Sequence, residues 1–163
     1  MTIRLLTPDQ DLPAVAAFLA GAADYWLMAE GAAPGPKAAQ EYFTDGPPGH
    51  DPARQRHLGL FVDGRLSGLA ELSFGFPDAK AAYLGLMIFL PHLRGQGHGR
   101  AMLAEVERTA RLEAATHLYL AVLEANTRGL AFWTREGFTP TGLSRVDNDH
   151  GLNHVIHRLV KAL

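Results

Sequence analysis

No cysteine occurs in the 163 residues, which excludes disulfides, thiolate nucleophiles and cysteine-built zinc sites and fits a reducing compartment. Charge of one sign is not in excess either. With 15 Lys+Arg against 17 Asp+Glu the formal net charge is −2, without the basic footprint of a nucleic-acid binder. Long apolar runs are missing as well. The longest nearly unbroken one, residues 81–90, is about half of the ~20 residues a membrane-spanning helix needs. The start, Met1–Thr2–Ile3–Arg4–Leu5–Leu6, meets Thr7–Pro8–Asp9 too soon for a signal-peptide core. These features predict a cytoplasmic protein with neither membrane nor nucleic acid as partner. At 47% hydrophobic and 20% charged, the composition is that of one ordinary domain spanning residues 1–163 and able to bury a full core.

Residues 3–6 read as a short strand stopped by Thr7–Pro8, and Asp9 or Asp11 is positioned to cap a helix with Pro13 in its first turn. A second helical piece is expected over residues 24–28. Residues 31–52 are dense in Gly and Pro, with two possible helical turns at 37–43, and are expected to form a mobile lobe over a site. Residues 57–62 and 66–74 are apolar runs joined by Asp63–Gly64, a hairpin signal. The run at 81–90 is so apolar that a strand there needs cover on both faces. Met102, Leu103, Val106 and Ala110 fall on one helical face, residues 118–123 form another buried-type strand, and Asn126 caps a helix that ends at Gly137. Two strands follow, from Phe138 and over 152–160. The order βα(α)βββαβαββ implies an α/β (α+β) fold: a single mixed, mostly antiparallel sheet of about seven strands flanked by helices.

Between the strand at 81–90 and the next helix lies Arg94–Gly95–Gln96–Gly97–His98–Gly99–Arg100. A helix start ordinarily carries Ser, Thr, Asp or Asn as cap and acidic residues in its first turn. This one carries Arg94, His98 and Arg100, which oppose the helix dipole. A polyanionic ligand held by backbone N–H groups removes the conflict. Other phosphate motifs fit less well: the glycines lack dinucleotide-fingerprint spacing, and Gly99–Arg100–Ala101 lacks the Lys-Ser/Thr of a P-loop.

Leu90–Pro91–His92–Leu93–Arg94–Gly95–Gln96–Gly97–His98–Gly99 resembles the acyl-CoA-binding signature of the GNAT acetyltransferase superfamily, Arg/Gln-x-x-Gly-x-Gly/Ala. Asn126, Phe132–Trp133 and Gly137–Phe138 resemble its second element, Asn…(Phe/Leu)-Tyr…Gly-Phe, in the correct order and spacing. The resemblance implies a GNAT-like fold and acetyl-CoA as acyl donor, with no metal. Amides of Gly95, Gln96, Gly97, His98, Gly99 and Arg100 would then hold the CoA pyrophosphate, with Arg94 and Arg100 adding charge. The pantetheine arm would run along Met87, Ile88 and Phe89, an N–H near Phe89 polarising the thioester carbonyl. Asn126 and Trp133 would border the same slot. A homodimer is common among such proteins.

Transfer to an amine needs a neutral nucleophile. An alkylammonium of pKa ~10 is only ~0.1% neutral at pH 7, a handicap of about 4 kcal/mol that a base offsets. The superfamily often places a carboxylate on the strand before the glycine turn, but residues 81–90 contain none. Glu71, on the neighbouring strand, is the first candidate base, with a solvent-facing strand residue as its other reading; Glu124, at the end of the strand after the motif helix, is the second, with a substrate contact or a solvated residue as its other readings. Where the superfamily often has a tyrosine acid, this chain has Trp133. Water protonating the thiolate, Tyr119 or Tyr83 reaching in, and acyl-CoA binding without turnover all fit that replacement. The expected function is N-acetylation of a primary amine of a small molecule or peptide, with an acyl-CoA sensor or degenerate transferase as the alternative. His150, His154 and His157 do not gather as metal ligands, because a strand over 152–160 points His154 and His157 to opposite faces.

Overall fold

The computed structural model describes residues 1–163, apart from the side chain of His150. Among the described residues the chain forms seven strands: β1 (Thr2–Leu5), β2 (Arg56–Val62), β3 (Arg65–Phe74), β4 (Ala81–Phe89), β5 (His117–Leu123), β6 (Thr139–Asp147) and β7 (His154–Ala162). Five α-helices accompany them: α1 (Pro8–Gly21), α2 (Ala23–Glu30), α3 (Ala38–Thr44), α4 (His98–Leu112) and α5 (Thr127–Arg135). The sheet runs β1-β2-β3-β4-β5-β7-β6, and every neighbouring pair is antiparallel except β4 with β5. Asp63 and Gly64 both have positive φ, 49° and 75°, so the β2–β3 hairpin turns as its sequence requires.

Two apolar cores lie on opposite faces. In one, Leu72, Phe74, Leu84 and Leu120 of the sheet pack with Met102 and Val106 of α4 and Trp133 of α5; in the other, Leu69 and Ile88 of the sheet pack with Val15, Phe18 and Leu19 of α1 and Tyr42 of α3. The α4 stripe of Met102, Leu103, Val106 and Ala110 is fully buried, and burial of each large member contributes about 1.5–3 kcal/mol.

Three expectations need correction. Neither Asp9 nor Asp11 is the cap of α1: Thr7 occupies that position, and Pro13 falls beyond the first turn. Asp11 instead reaches back to accept from the Thr7 N–H at 2.9 Å and pairs with Arg4 at 2.6 Å, which explains why it is buried. The lobe is docked: the buried Tyr42 on α3 donates its hydroxyl to the Ala70 carbonyl at 2.9 Å. Finally, the strand at 81–90 is not covered throughout. Gly85 is exposed and Leu86 and Met87 are half-buried, because β4 loses its β5 neighbour partway along.

Candidate active site

Parallel pairing of β4 and β5 runs from Ala81↔His117 to Leu84↔Leu120 and stops there. Beyond it, β4 continues against β3 to Gly68↔Phe89, while residues 121–123 of β5 continue against β7. The facing edges of β4 and β5 therefore part into a cleft. At the same point the β3–β4 register shifts, from Leu72↔Leu84 to Glu71↔Leu86, leaving Gly85 as a bulge. The bulge reverses which β4 residues face which core: Ala82 and Leu84 pack with α4 before it, Met87 and Phe89 after it.

The cleft edge of β4 presents backbone groups. Leu90 N–H donates to the Ser67 carbonyl at 3.0 Å, towards β3, so strand alternation turns the Phe89 and Met87 N–H groups to the open side. The Phe89 carbonyl points the same way and accepts from Arg94 Nε at 2.9 Å. Arg94 is also bonded through both terminal nitrogens to Asp24 of α2, which holds the Asp24 carboxyl below its ordinary pKa. Its charge is thus engaged with Asp24 at the head of the glycine turn.

Gly95 and Gly97 adopt φ of 80° and 87°, with Gly97 at the N-cap of α4 and no side chain capping the helix. Among the described residues, none of the N–H groups at 95–99 donates to the protein; inward bonding resumes with Arg100 N–H to the Gly97 carbonyl at 3.1 Å. A Cβ built at Gly95 or Gly97 meets nothing within 4 Å. The result is an open concave row of donors at the positive end of a 15-residue helix, a fit for a diphosphate. Gln96 folds back to the His92 carbonyl at 2.7 Å, and the exposed Arg100 shares a salt bridge with Glu136 at 3.2 Å. His98 is half-buried in the first turn. Gly99 is tight for another reason: its Cβ would approach the Phe132 ring to 3.1 Å.

Asn126 caps α5 by accepting from the Gly129 N–H at 2.9 Å, which leaves its Nδ2 without an acceptor among the described residues. Gly129 is explained by that cap, since a Cβ there would lie 2.5 Å from Nδ2 of Asn126. Trp133 is core, packed edge-on against Phe132 and Phe138. Met87 and Phe89 pack against or within the same core, and Ile88 lies in the core opposite.

The two candidate bases differ sharply. Glu124 is exposed at the end of β5 and bonds His157 Nε2 at 3.1 Å, while His157 Nδ1 meets the Ser144 hydroxyl at 2.8 Å. His157 is half-buried. Glu71 is buried at 6% exposure, so the solvent-facing reading is overturned. Its Oε1 accepts from Gln55 Nε2 at 2.9 Å and from the Ser73 hydroxyl. Burial raises its pKa above the usual carboxylate value, partly offset by those two donors, the nearby His50 and the Gly85 N–H.

Glu71 forms the floor of a cavity of about 440 Å³ walled by Tyr25, Trp26 and Glu30 of α2, Glu41 and Tyr42 of α3, Asp45, Tyr83 and Leu86. The wall residues Tyr25, Trp26, Tyr42 and Glu41 were not singled out as site residues by sequence. They come from the Gly- and Pro-rich segment and its flanks, and only their packing around Glu71 reveals them. Gly85 carried a usable signal, a lone glycine inside a strand pattern that marks a bulge.

The sequence matches the acetyltransferase (GNAT) family model over residues 21–138. It is 29% identical over 99 residues to streptothricin acetyltransferase of Streptomyces lavendulae, covering 61% of this chain and 52% of that protein. The chain thus spans about half the length of the curated relative it matches. Among solved structures, an acetyltransferase from Thermus thermophilus superposes with a TM-score of 0.75 at 24% identity, covering 100% of this chain and 98% of the other. A ribosomal-protein-alanine N-acetyltransferase from Brucella melitensis superposes with a TM-score of 0.77 at 22% identity over 100% of both chains. These two likenesses share the fold. With the matched model spanning most of its length, the chain belongs to the GNAT acetyltransferase family.

Proposed function

We propose that this protein transfers an acetyl group from acetyl-CoA to a primary amine of a small molecule or peptide by direct attack within a ternary complex. The observation that carries the reading is the juxtaposition of three elements: the row of free amides at 95–99, the open edge of β4, and the buried Glu71 beside that edge. Bound there, acetyl-CoA supplies an activated acetyl thioester. The amides at 95–99 and the α4 dipole hold its diphosphate, with His98 and Arg100 at the rim, while residues 87–89 offer backbone groups to the pantetheine arm. The Phe89 N–H holds the thioester oxygen as it gains negative charge.

Glu71 takes the proton of the incoming ammonium. Its raised pKa brings it nearer the amine's own, which improves it as a base while it stays buried beside the acceptor cavity. Glu124 is less suited, being exposed and already bonded to His157. Trp133 sits in the core and has no acidic proton to give, so the departing thiolate, of ordinary pKa ~8.5, leaves as the anion and is protonated by water.

Two measurements test this reading. Calorimetry with acetyl-CoA is expected to show association; none at millimolar concentration removes the proposal. Thiol release over a panel of primary amines then separates the transferase from an acyl-CoA sensor, which would bind without turnover.

A further inference from the structure

A second groove, of about 430 Å³, adjoins the Glu71 cavity and shares Pro47 and Tyr83 with it. Its charge is opposite. The Glu71 cavity is lined by Glu30, Glu41, Asp45 and Glu71 with no cation, whereas the groove is lined by Arg145 and Arg158 with no carboxylate. Arg158 is half-buried, its guanidinium stacked 5.1 Å from the centre of the Phe76 ring, and among the described residues it has no acidic partner. Arg145 has only Asp147, at 3.8 Å. Most of the groove's remaining lining is apolar, including Phe76, Leu143 and Ile156, which strengthens the attraction of an arginine for an anion.

The sheet register sets Glu71 and Arg158 level with one another. Ser73, Tyr83, Tyr119 and Val160 form one row across β3, β4, β5 and β7. Glu71 and Arg158 each stand two residues beyond that row, on the same face and in the same direction, on either side of the β4–β5 cleft. Three strand spacings separate their columns, on the order of 14 Å where all the strands pair, and the parting of β4 from β5 past Leu84 and Leu120 widens the middle one. Tyr83 lies between them: burial raises its hydroxyl pKa, Arg158 and Arg145 pull it down and Glu71 pushes it up.

We infer that the acceptor is dipolar, its amine lodged against Glu71 and an anionic group, set several bonds away, held by Arg158 across the cleft. This rests on the acetyltransferase reading above and narrows its acceptor class. Arg158 makes a charge-assisted contact distant from the reacting atoms, so it contributes binding that is equal in ground and transition states.

The test compares matched primary amines that differ only in a terminal carboxylate or carboxamide, such as γ-aminobutyrate and ε-aminocaproate against their amides, by thiol release from acetyl-CoA. The carboxylate member is expected to be favoured at least tenfold in kcat/KM. Arg158→Gln should erase that preference by raising KM with kcat nearly unchanged, Arg158→Lys should keep much of it, and both should bind acetyl-CoA as the parent does. Equal rates within pairs, a preference for the amide, or a preference that survives Arg158→Gln would overturn the inference while leaving the transferase reading intact. Acetyl-CoA binding without acetylation of any amine would overturn both.

Discussion

The Glu71 carboxylate occupies the space in front of Gly85: a Cβ built on Gly85 would overlap Oε2 of Glu71. The strand bulge and the candidate base are thus one device, in which β4 omits a side chain so that β3 can place a carboxylate at the cleft edge. Gly85→Ala is expected to push Glu71 off Gln55 and Ser73 and lower kcat/KM at least tenfold. Loss of those two buried hydrogen bonds should also cost about 1–3 kcal/mol of stability. Steady-state kinetics beside thermal melts checks both halves.

Glu71→Gln keeps the size of the side chain and the capacity to accept from Ser73 while deleting the base. Loss of a general base predicts a fall of about 10²-fold or more in kcat/KM. The parent's kcat/KM should rise with pH through a step above the ordinary glutamate value, since burial raises the Glu71 pKa, and that limb should vanish in the variant. A carboxyl whose folded pKa is raised loses stability as pH rises from its unfolded value through its folded one. The variant should therefore melt no lower than the parent at pH 7. Unchanged turnover across pH would remove Glu71 as the base.

Gly97 and Gly142 separate strain from ligand binding. Both have strongly positive φ, 87° and 85°, and neither has an atom within 4 Å of its virtual Cβ. Alanine at either position should cost about 1–2 kcal/mol of stability through backbone strain. Only Gly97→Ala should weaken acetyl-CoA binding, by roughly tenfold or more, because only there would a Cβ hold the diphosphate off the amides. Calorimetry on the pair decides it.

Asn126 is expected to have two separable duties. Asn126→Ala removes the α5 cap and should cost about 1 kcal/mol. Asn126→Asp retains the acceptor for the Gly129 N–H but loses the Nδ2 donor. It should melt like the parent and bind acetyl-CoA severalfold more weakly if that donor meets the pantetheine; unaltered affinity would make the residue a cap alone.

His57 is buried beside Tyr42 and Phe43 with Nε2 unpartnered, and burial lowers its pKa from 6.5 to about 4. Below pH 6.5 the unfolded chain takes up a proton that the folded one refuses. Stability should therefore fall from pH 6.5 towards pH 4, by about 3 kcal/mol from this group. Glu71, with its raised pKa, acts in the opposite sense. The check is differential: His57→Phe should lose less melting temperature between pH 7 and pH 4.5 than the parent does.

Sequence signals were most legible where one short segment contains its own cause. Asp63–Gly64 adopts the positive φ pair its hairpin needs, the α4 stripe is buried as its period implies, and Asn126 caps the helix it precedes. The glycine turn was legible for the same reason: Gly95 and Gly97 take the positive φ of a tight turn between strand and helix, and no side chain caps α4. Glu71 was ambiguous, because strand alternation alone leaves open whether its face meets solvent or a lobe.

Tertiary structure decided everything that depends on partners remote in the chain. Arg94 heads the glycine turn by position, yet Asp24, 70 residues earlier, holds its guanidinium. The parting of β4 from β5 is invisible in either strand, since it arises from where their shared pairing stops. Local backbone preference and apolar period set elements and turns; which charges meet, and which amides stay free, follows only from how those elements are brought together.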